Sequence, residues 1–168
     1  MATQPFKVLV WNVRGLNSPA RRSAIYQAVT NANPLVVCFQ EMKLQVVSPK
    51  IVNHCLGNRF AKFDYLLAMG THGKILIAWD ATMASVSSPH RTTNTLTGLG
   101  RPPSGGQWWL TGVYGPQGNE DKIEFLQELV DIQDLHAGPC LVAGDFNLVV
   151  NLDDKNNSMV NHYMMARF

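Results

Sequence analysis

The sequence predicts an α/β protein in which sheets are layered with helices, not a simple doubly wound fold. Three observations predict it. Continuous apolar runs rich in β-branched residues, such as residues 35–40, alternate with segments of helical spacing. The order is mixed: strand, helix and strand open the chain, consecutive strand patterns fill its middle, and a helix and a strand follow. The chain has 168 residues, of which 46% are hydrophobic and 15% charged. That is the size of one domain, with enough apolar side chains for a core without disulfides or a structural metal.

The elements follow in order. Residues 6–13 read as a strand, ended by Arg14-Gly15-Leu16-Asn17-Ser18-Pro19. Residues 20–31 read as a helix with Ile25, Ala28 and Val29 on one face, stopped by Asn33-Pro34. With the apolar run 35–40, these segments form a βαβ-like unit. Ser48 and Pro49 open a short helix through Val52, Cys55 and Leu56, as N-cap and first helical residue. Three strands are predicted next, at 63–69, 74–79 and 84–97, with turns at 70–73 and Asp80. Residues 98–106, rich in Gly and Pro, read as a loop. Residues 108–114 form a strand closed by Gly115-Pro116. Asn119 is expected to cap a helix whose inner face is Ile123, Leu126, Leu129, Val130 and Ile132, with His136-Ala137-Gly138-Pro139 as the stop. A last apolar strand, 140–143, leads into Gly144-Asp145-Phe146-Asn147, and the final residues, 163–168, read as part of an amphipathic helix.

Composition excludes several function classes. The longest uninterrupted apolar runs are five residues, against about 20 for a membrane span. Three cysteines without Cys-x-x-Cys spacing are expected to be buried thiols in a reducing, intracellular compartment. The five histidines lack zinc-ligand spacing, and a P-loop motif is absent. The net charge of +2 is uneven: residues 1–118 carry +8, residues 119–136 carry −5 and the remainder −1. The basic front suits a polyanion. The acidic block reads as a solvent-facing helix surface, with Glu120 and Asp121 favourable in its first turn.

Polar residues stand at the ends of the apolar strands: Asn12, Glu41, Tyr114, Asp145 and Asn147. Strand ends are where ligand sites are built. Asp145 and Asn147, two apart, face one side if the chain is extended. Each also has a local explanation, turn chemistry at Asn12 and an Asx-turn at Asp145. Together they form a set of hard oxygen ligands without cysteine or histidine, which suits Mg²⁺ paired with phosphate.

Four segments in this order resemble the endonuclease/exonuclease/phosphatase superfamily: Trp11-Asn12-Val13-Arg14-Gly15-Leu16-Asn17, Gln40-Glu41-Met42-Lys43, Gly112-Val113-Tyr114-Gly115-Pro116 and Gly144-Asp145-Phe146-Asn147. The opening segment, with Arg21-Arg22 and Ile75-Leu76-Ile77-Ala78-Trp79-Asp80, is similar to the endonuclease domain of plant LINE-type non-LTR retrotransposons. The resemblance implies a DNase I-like four-layered α/β sandwich, two mixed sheets flanked by helices, and metal-dependent cleavage of phosphodiesters. By position it makes Glu41 the Mg²⁺ ligand, or Mn²⁺ in its place, with Asn12 orienting metal and phosphate. Asp145 would activate the water, while Asn147 and Tyr114 would donate to the phosphate. Arg14, Arg21 and Arg22 would contact the backbone of double-stranded DNA, in the nucleus if the target is chromosomal. No membrane and no small-molecule cofactor are implied.

The superfamily pattern also includes a later Ser-Asp-His, which this sequence does not contain. Residues 1–168 are therefore expected to be one domain lacking its C-terminal part, with a DNA-nicking activity impaired by that loss. Lesser departures are Met42, where threonine or serine is usual, and His72 with Lys74 ahead of a strand. The alternatives are a catalytically dead fragment that binds nucleic acid or protein, and a phosphoinositide-type phosphatase of the same superfamily.

Overall fold

The computed structural model describes residues 6–67, 73–102, 105–149 and Ala166. Three expectations fall outside them: the turn residues 70–72 with His72, the end of the third strand at Met69, and the amphipathic segment 163–168 apart from Ala166. In chain order the elements are β1 (Val8–Asn12), α1 (Pro19–Ala32), β2 (Val36–Gln40), α2 (Pro49–Leu56), β3 (Lys62–Leu67), β4 (Gly73–Trp79), β5 (Ser85–Arg91), β6 (Thr95–Arg101), β7 (Trp108–Tyr114), α3 (Asn119–Leu135) and β8 (Cys140–Asp145).

They build two mixed four-stranded sheets, ordered β1-β2-β4-β3 and β5-β6-β7-β8. In each sheet one strand pair is parallel, β1 with β2 and β7 with β8, and the other pairs are antiparallel. Each parallel pair is joined by a helix, as a parallel crossover requires. The halves therefore mirror one another: β1-α1-β2 continues into an antiparallel hairpin, and an antiparallel hairpin leads into β7-α3-β8.

The alternation of side chains along β2 divides the core. Val37 and Phe39 point to α1 and α2, joining Ile25, Val29, Val52, Cys55 and Leu56. Val36 and Cys38 point the other way, into a seam with Ile75, Ile77, Leu96 and Leu110 between the sheets. α3 buries Phe125 and Ile132 and is tied to the β5–β6 turn of the second sheet through Glu128. The result is the expected layering of two mixed sheets between helices.

Local chemistry explains the helix starts. Ser18 accepts a hydrogen bond from Arg21 N (3.5 Å) and Ser48 from Ile51 N (3.4 Å), each followed by Pro at the first helical position. Such caps contribute about 1 kcal/mol each.

Several expectations are corrected. Residues 84–97 are not one strand; they fold into β5 and the start of β6, which pair antiparallel around Thr92, Thr93 and Asn94. Nor are residues 98–101 loop. Gly98 and Gly100 lie within β6, where a Cβ at Gly98 would meet Val86 Cγ1 at 2.4 Å and one at Gly100 would press on Trp108. The N-cap of α3 is Gly118, not Asn119. Its inner face is Phe125 and Ile132, while Ile123 and Val130 are exposed. Glu128 is correspondingly turned inward, unlike its acidic neighbours on the helix. Cys38 and Cys55 are buried thiols as expected, but Cys140 is exposed on β8. Met42 is fully buried beneath α1 and α2.

Candidate active site at the strand ends

Both parallel ladders finish at one edge of the molecule. The last register pair is Asn12 opposite Gln40 in the first sheet and Tyr114 opposite Asp145 in the second. Because β1 and β2 pack across β8 and β7, the four termini meet. Past the ladder the chains stay zipped: Val13 N donates to Gln40 O, Gly15 N to Glu41 O and Leu16 N to Met42 O, at 2.7 to 3.0 Å. This holds Glu41 beside the end of β1.

Asn12 Nδ2 donates to Asp145 Oδ2 at 2.8 Å, and its Oδ1 accepts from Arg14 N. The other oxygen of Asp145 accepts from Asn147 N at 3.1 Å, an Asx-turn. Asn147 does not continue in extended chain; at φ 50° its amide swings to donate to Gly115 O at 2.7 Å. Gly115 N in turn donates to Asp145 O. Only glycine fits at position 115, since a Cβ there would lie 2.1 Å from Phe146 O. Asn12, Gln40, Gly144, Asp145 and Asn147 line a cleft of about 460 Å³.

Two electrostatic features bear on chemistry. The Lys43 ammonium, 2.7 Å from Glu41 Oε1, is the chief reason the Glu41 carboxyl lies below its ordinary range, with smaller contributions from Asn12 and Arg14. Glu41 is thus held as a carboxylate. The Tyr114 phenol is raised, first by burial and then by the carboxylates of Glu41 and Asp145. It stays protonated and can donate a hydrogen bond. In the backbone, Tyr114 is the register partner of Asp145, and Glu41 directly follows Gln40, the partner of Asn12.

Backbone strain concentrates here as well. Among the described residues six non-glycine residues have positive φ, and four of them, Arg14, Glu41, Lys43 and Asn147, border the site. Each such conformation costs on the order of 1 kcal/mol and persists where surrounding contacts enforce it.

The sequence-predicted residues divide accordingly. Asn12, Glu41, Tyr114, Asp145 and Asn147 come together, and Arg14 stands at the rim. Arg21 and Arg22 are placed differently from a phosphate-facing pair. Arg21 Nη1 donates to Arg14 O at 2.6 Å, and Arg22 Nη1 to the carbonyls of Leu16 and Asn17, with its Nε on His54. They brace the loop that carries Arg14. Two residues were missed. Gln40, fully buried, forms the floor of the cleft and donates to Cys38 O and Sγ. Lys43 pairs with Glu41 where both adopt positive φ, a conformation that the Glu-Met-Lys string does not announce.

Glu41, Asp145 and Asn12 offer hard oxygen donors, and among the described residues no group of three or more His, Cys, Asp or Glu gathers. Two carboxylates with an amide fit an ion that keeps several waters and shares its coordination with phosphate, such as Mg²⁺.

Comparison with known proteins bears on the family and the fold. The profile of the Endonuclease/Exonuclease/phosphatase family matches residues 9–164. No curated protein sequence matches. Among solved structures, the endonuclease domain of TRAS1, a telomere-specific non-LTR retrotransposon, superposes with a TM-score of 0.69 at 16% identity, over 98% of this chain and 71% of that one. D. rerio TDP2, complexed with a single-strand DNA product, gives 0.61 at 20% identity, over 86% of this chain and 61% of that one. ANGEL2, a 2′,3′-cyclic phosphatase, gives 0.62 at 14% identity, over 86% and 54%. The chain thus spans between about half and three-quarters of the length of these neighbours.

Proposed function

The chain belongs to the endonuclease/exonuclease/phosphatase family, and from that premise we propose that it is a Mg²⁺- or Mn²⁺-dependent phosphodiesterase, a DNA-nicking endonuclease domain of retrotransposon type. One observation carries the reading: Asn12, Glu41, Tyr114 and Asp145, from the two parallel strand pairs of opposite sheets, meet at one edge. The retrotransposon endonuclease among the structural neighbours and the +8 charge of residues 1–118 support DNA as the partner.

In-line attack on a phosphodiester builds negative charge on the phosphate oxygens. Glu41, kept ionised, and Asn12 would hold the ion, which when bound polarises the phosphate and offsets that charge. Asp145 accepts the proton of the attacking water as general base. Asn12 Nδ2 and Asn147 N orient its carboxylate by holding one oxygen each. The protonated Tyr114 hydroxyl donates to a phosphate oxygen, and Asn147 supports the same strand end through Gly115. Arg14 at the rim meets the backbone of the duplex. Removing an anion-stabilising donor such as the Tyr114 hydroxyl would cost about 3 kcal/mol of barrier, roughly a hundredfold.

Supercoiled plasmid incubated with the protein and Mg²⁺ tests the reading, with calorimetric titration of Mn²⁺ alongside. Expected are nicking abolished by EDTA and by Glu41→Ala, and Mn²⁺ binding lost in Glu41→Gln. Plasmid binding without nicking, or with nicking indifferent to both treatments, would instead favour a nucleic-acid-binding fragment or a contaminant.

A further inference from the structure

Glu41 and Tyr114 belong to different sheets, yet one chain of hydrogen bonds joins them outside the cleft. Glu41 N donates to Lys74 O at 2.8 Å, the residue that starts the buried part of β4. Lys74 Nζ crosses to the β5–β6 turn and donates to Thr93 O (2.8 Å) and Asn94 Oδ1 (2.9 Å). Tyr114 N donates to Asn94 O at 3.0 Å. The far side of Asn94 is anchored to α3: its backbone N and its Nδ2 donate to the two carboxylate oxygens of Glu128 at 2.8 and 3.0 Å. Thr92 Oγ1 donates to the same carboxylate.

The polarity of this chain leaves one solution. Lys74 can only donate and the Glu128 carboxylate can only accept, so the amide between them must present oxygen to one and nitrogen to the other. Asn94 is 6% exposed, so an unmatched end would be a buried, unsatisfied polar group. The turn it occupies has no glycine or proline to shape it. Its position comes from these bonds.

We propose that Lys74, Asn94 and Glu128 form a positioning relay that fixes Tyr114 relative to Glu41, setting the spacing between the phosphate donor and the cation ligand. The relay's purpose rests on the hydrolase reading above, whereas the restraint itself is a property of the free protein. None of the three is a catalytic residue. They act through the backbone of the two that border the substrate.

The test reads Tyr114 directly, without metal or nucleic acid. Phenolate absorbance is followed through a pH titration, and Tyr114→Phe is subtracted to isolate Tyr114 among the four tyrosines. In the wild type Tyr114 titrates above an ordinary tyrosine, because burial and the carboxylates of Glu41 and Asp145 oppose its ionisation. Asn94→Ala changes no charge and leaves the carbonyl that holds Tyr114 N, but removes both side-chain anchors. Its expected effect is a downward move of the Tyr114 midpoint toward that of an ordinary tyrosine, as the group gains solvent and moves from the two carboxylates. Glu128→Gln, isosteric, sets a donor against one of the two Asn94 nitrogens whichever way its amide turns, and is expected to act in the same direction. An unchanged Tyr114 midpoint in the natively folded variants, judged by circular dichroism, overturns the proposal. Should Asn94→Ala not fold, Glu128→Gln decides. Mn²⁺ binding and its loss in Glu41→Gln report on the hydrolase reading separately, so either can fail alone.

Discussion

Asn12 and Asp145, 133 residues apart, are joined by a 2.8 Å hydrogen bond from amide to carboxylate, and each is the last residue of its strand. An amide is the only side chain of that size that can donate there while its oxygen accepts from Arg14 N.

Replacing it with an acid reverses the electrostatics. In Asn12→Asp two carboxylates would stand within hydrogen-bond distance and hold a shared proton near neutrality. Mn²⁺ affinity, measured from about pH 5 to 8, is expected to fall toward the acid end more steeply than in the wild type. Parallel affinity curves for the two proteins would show that the pair does not share the ion.

Gly115 has no room for a side chain, because the carbonyl of Phe146 lies where Cβ would be and Phe125 Cε1 is 2.9 Å from the same point. Backbone cannot rotate away as a side chain can. Gly115→Ala is expected to lower stability by about 3 kcal/mol in urea unfolding, near the upper end for an overpacked site, and to displace Asn147, whose amide bonds to Gly115 O.

The Glu41–Lys43 pair gives a pH signature. Since Lys43 lowers the Glu41 pKa in the folded state, the pair stabilises the fold above the ordinary carboxylate range and loses that contribution as pH falls through the lowered value. Lys43 is half exposed, so the effect is screened to about 0.5 kcal/mol. Lys43→Met should therefore be slightly less stable than wild type at neutral pH, and the difference should vanish in acid. A difference that persists once Glu41 is protonated would have another origin.

Thiol reactivity should be unequal. Burial pushes Cys38 up to about 12 and Cys55 up to about 11, so neither forms the reactive thiolate near neutrality. Cys140 is exposed. Ellman's reagent is expected to titrate one thiol quickly in the native protein, absent in Cys140→Ser, and three after denaturation.

What could be read from the chain followed local rules. The unit β1-α1-β2 was legible because its turns carry Ser-Pro and Asn-Pro signals and its apolar spacing matches each element. Asn12, Glu41, Tyr114 and Asp145 were legible as polar residues ending apolar runs. The hairpin β5-β6 was not, because Thr92, Thr93 and Asn94 lack turn-forming glycine or proline. Gly98 and Gly100, which suggest a loop, instead admit Val86 and Trp108 against the strand. The face of α3 was misjudged because apolar spacing alone orients Ile123 and Val130 inward. The rotation is instead set by Phe125 packing near Gly115 and by Glu128 bonding Thr92 and Asn94, 36 and 34 residues away. Contacts at that separation leave no periodic trace.

The mirrored halves have a consequence for synthesis. A ribosome that has delivered β1 through β6 has made Asn12 and Glu41 but neither Tyr114 nor Asp145. Asp145 arrives on the last strand of the second sheet, and only its docking against Asn12 completes the arrangement. A nascent or partly unravelled polypeptide therefore carries no assembled cleft at the strand ends, and whatever that cleft binds is bound only by molecules that have finished folding.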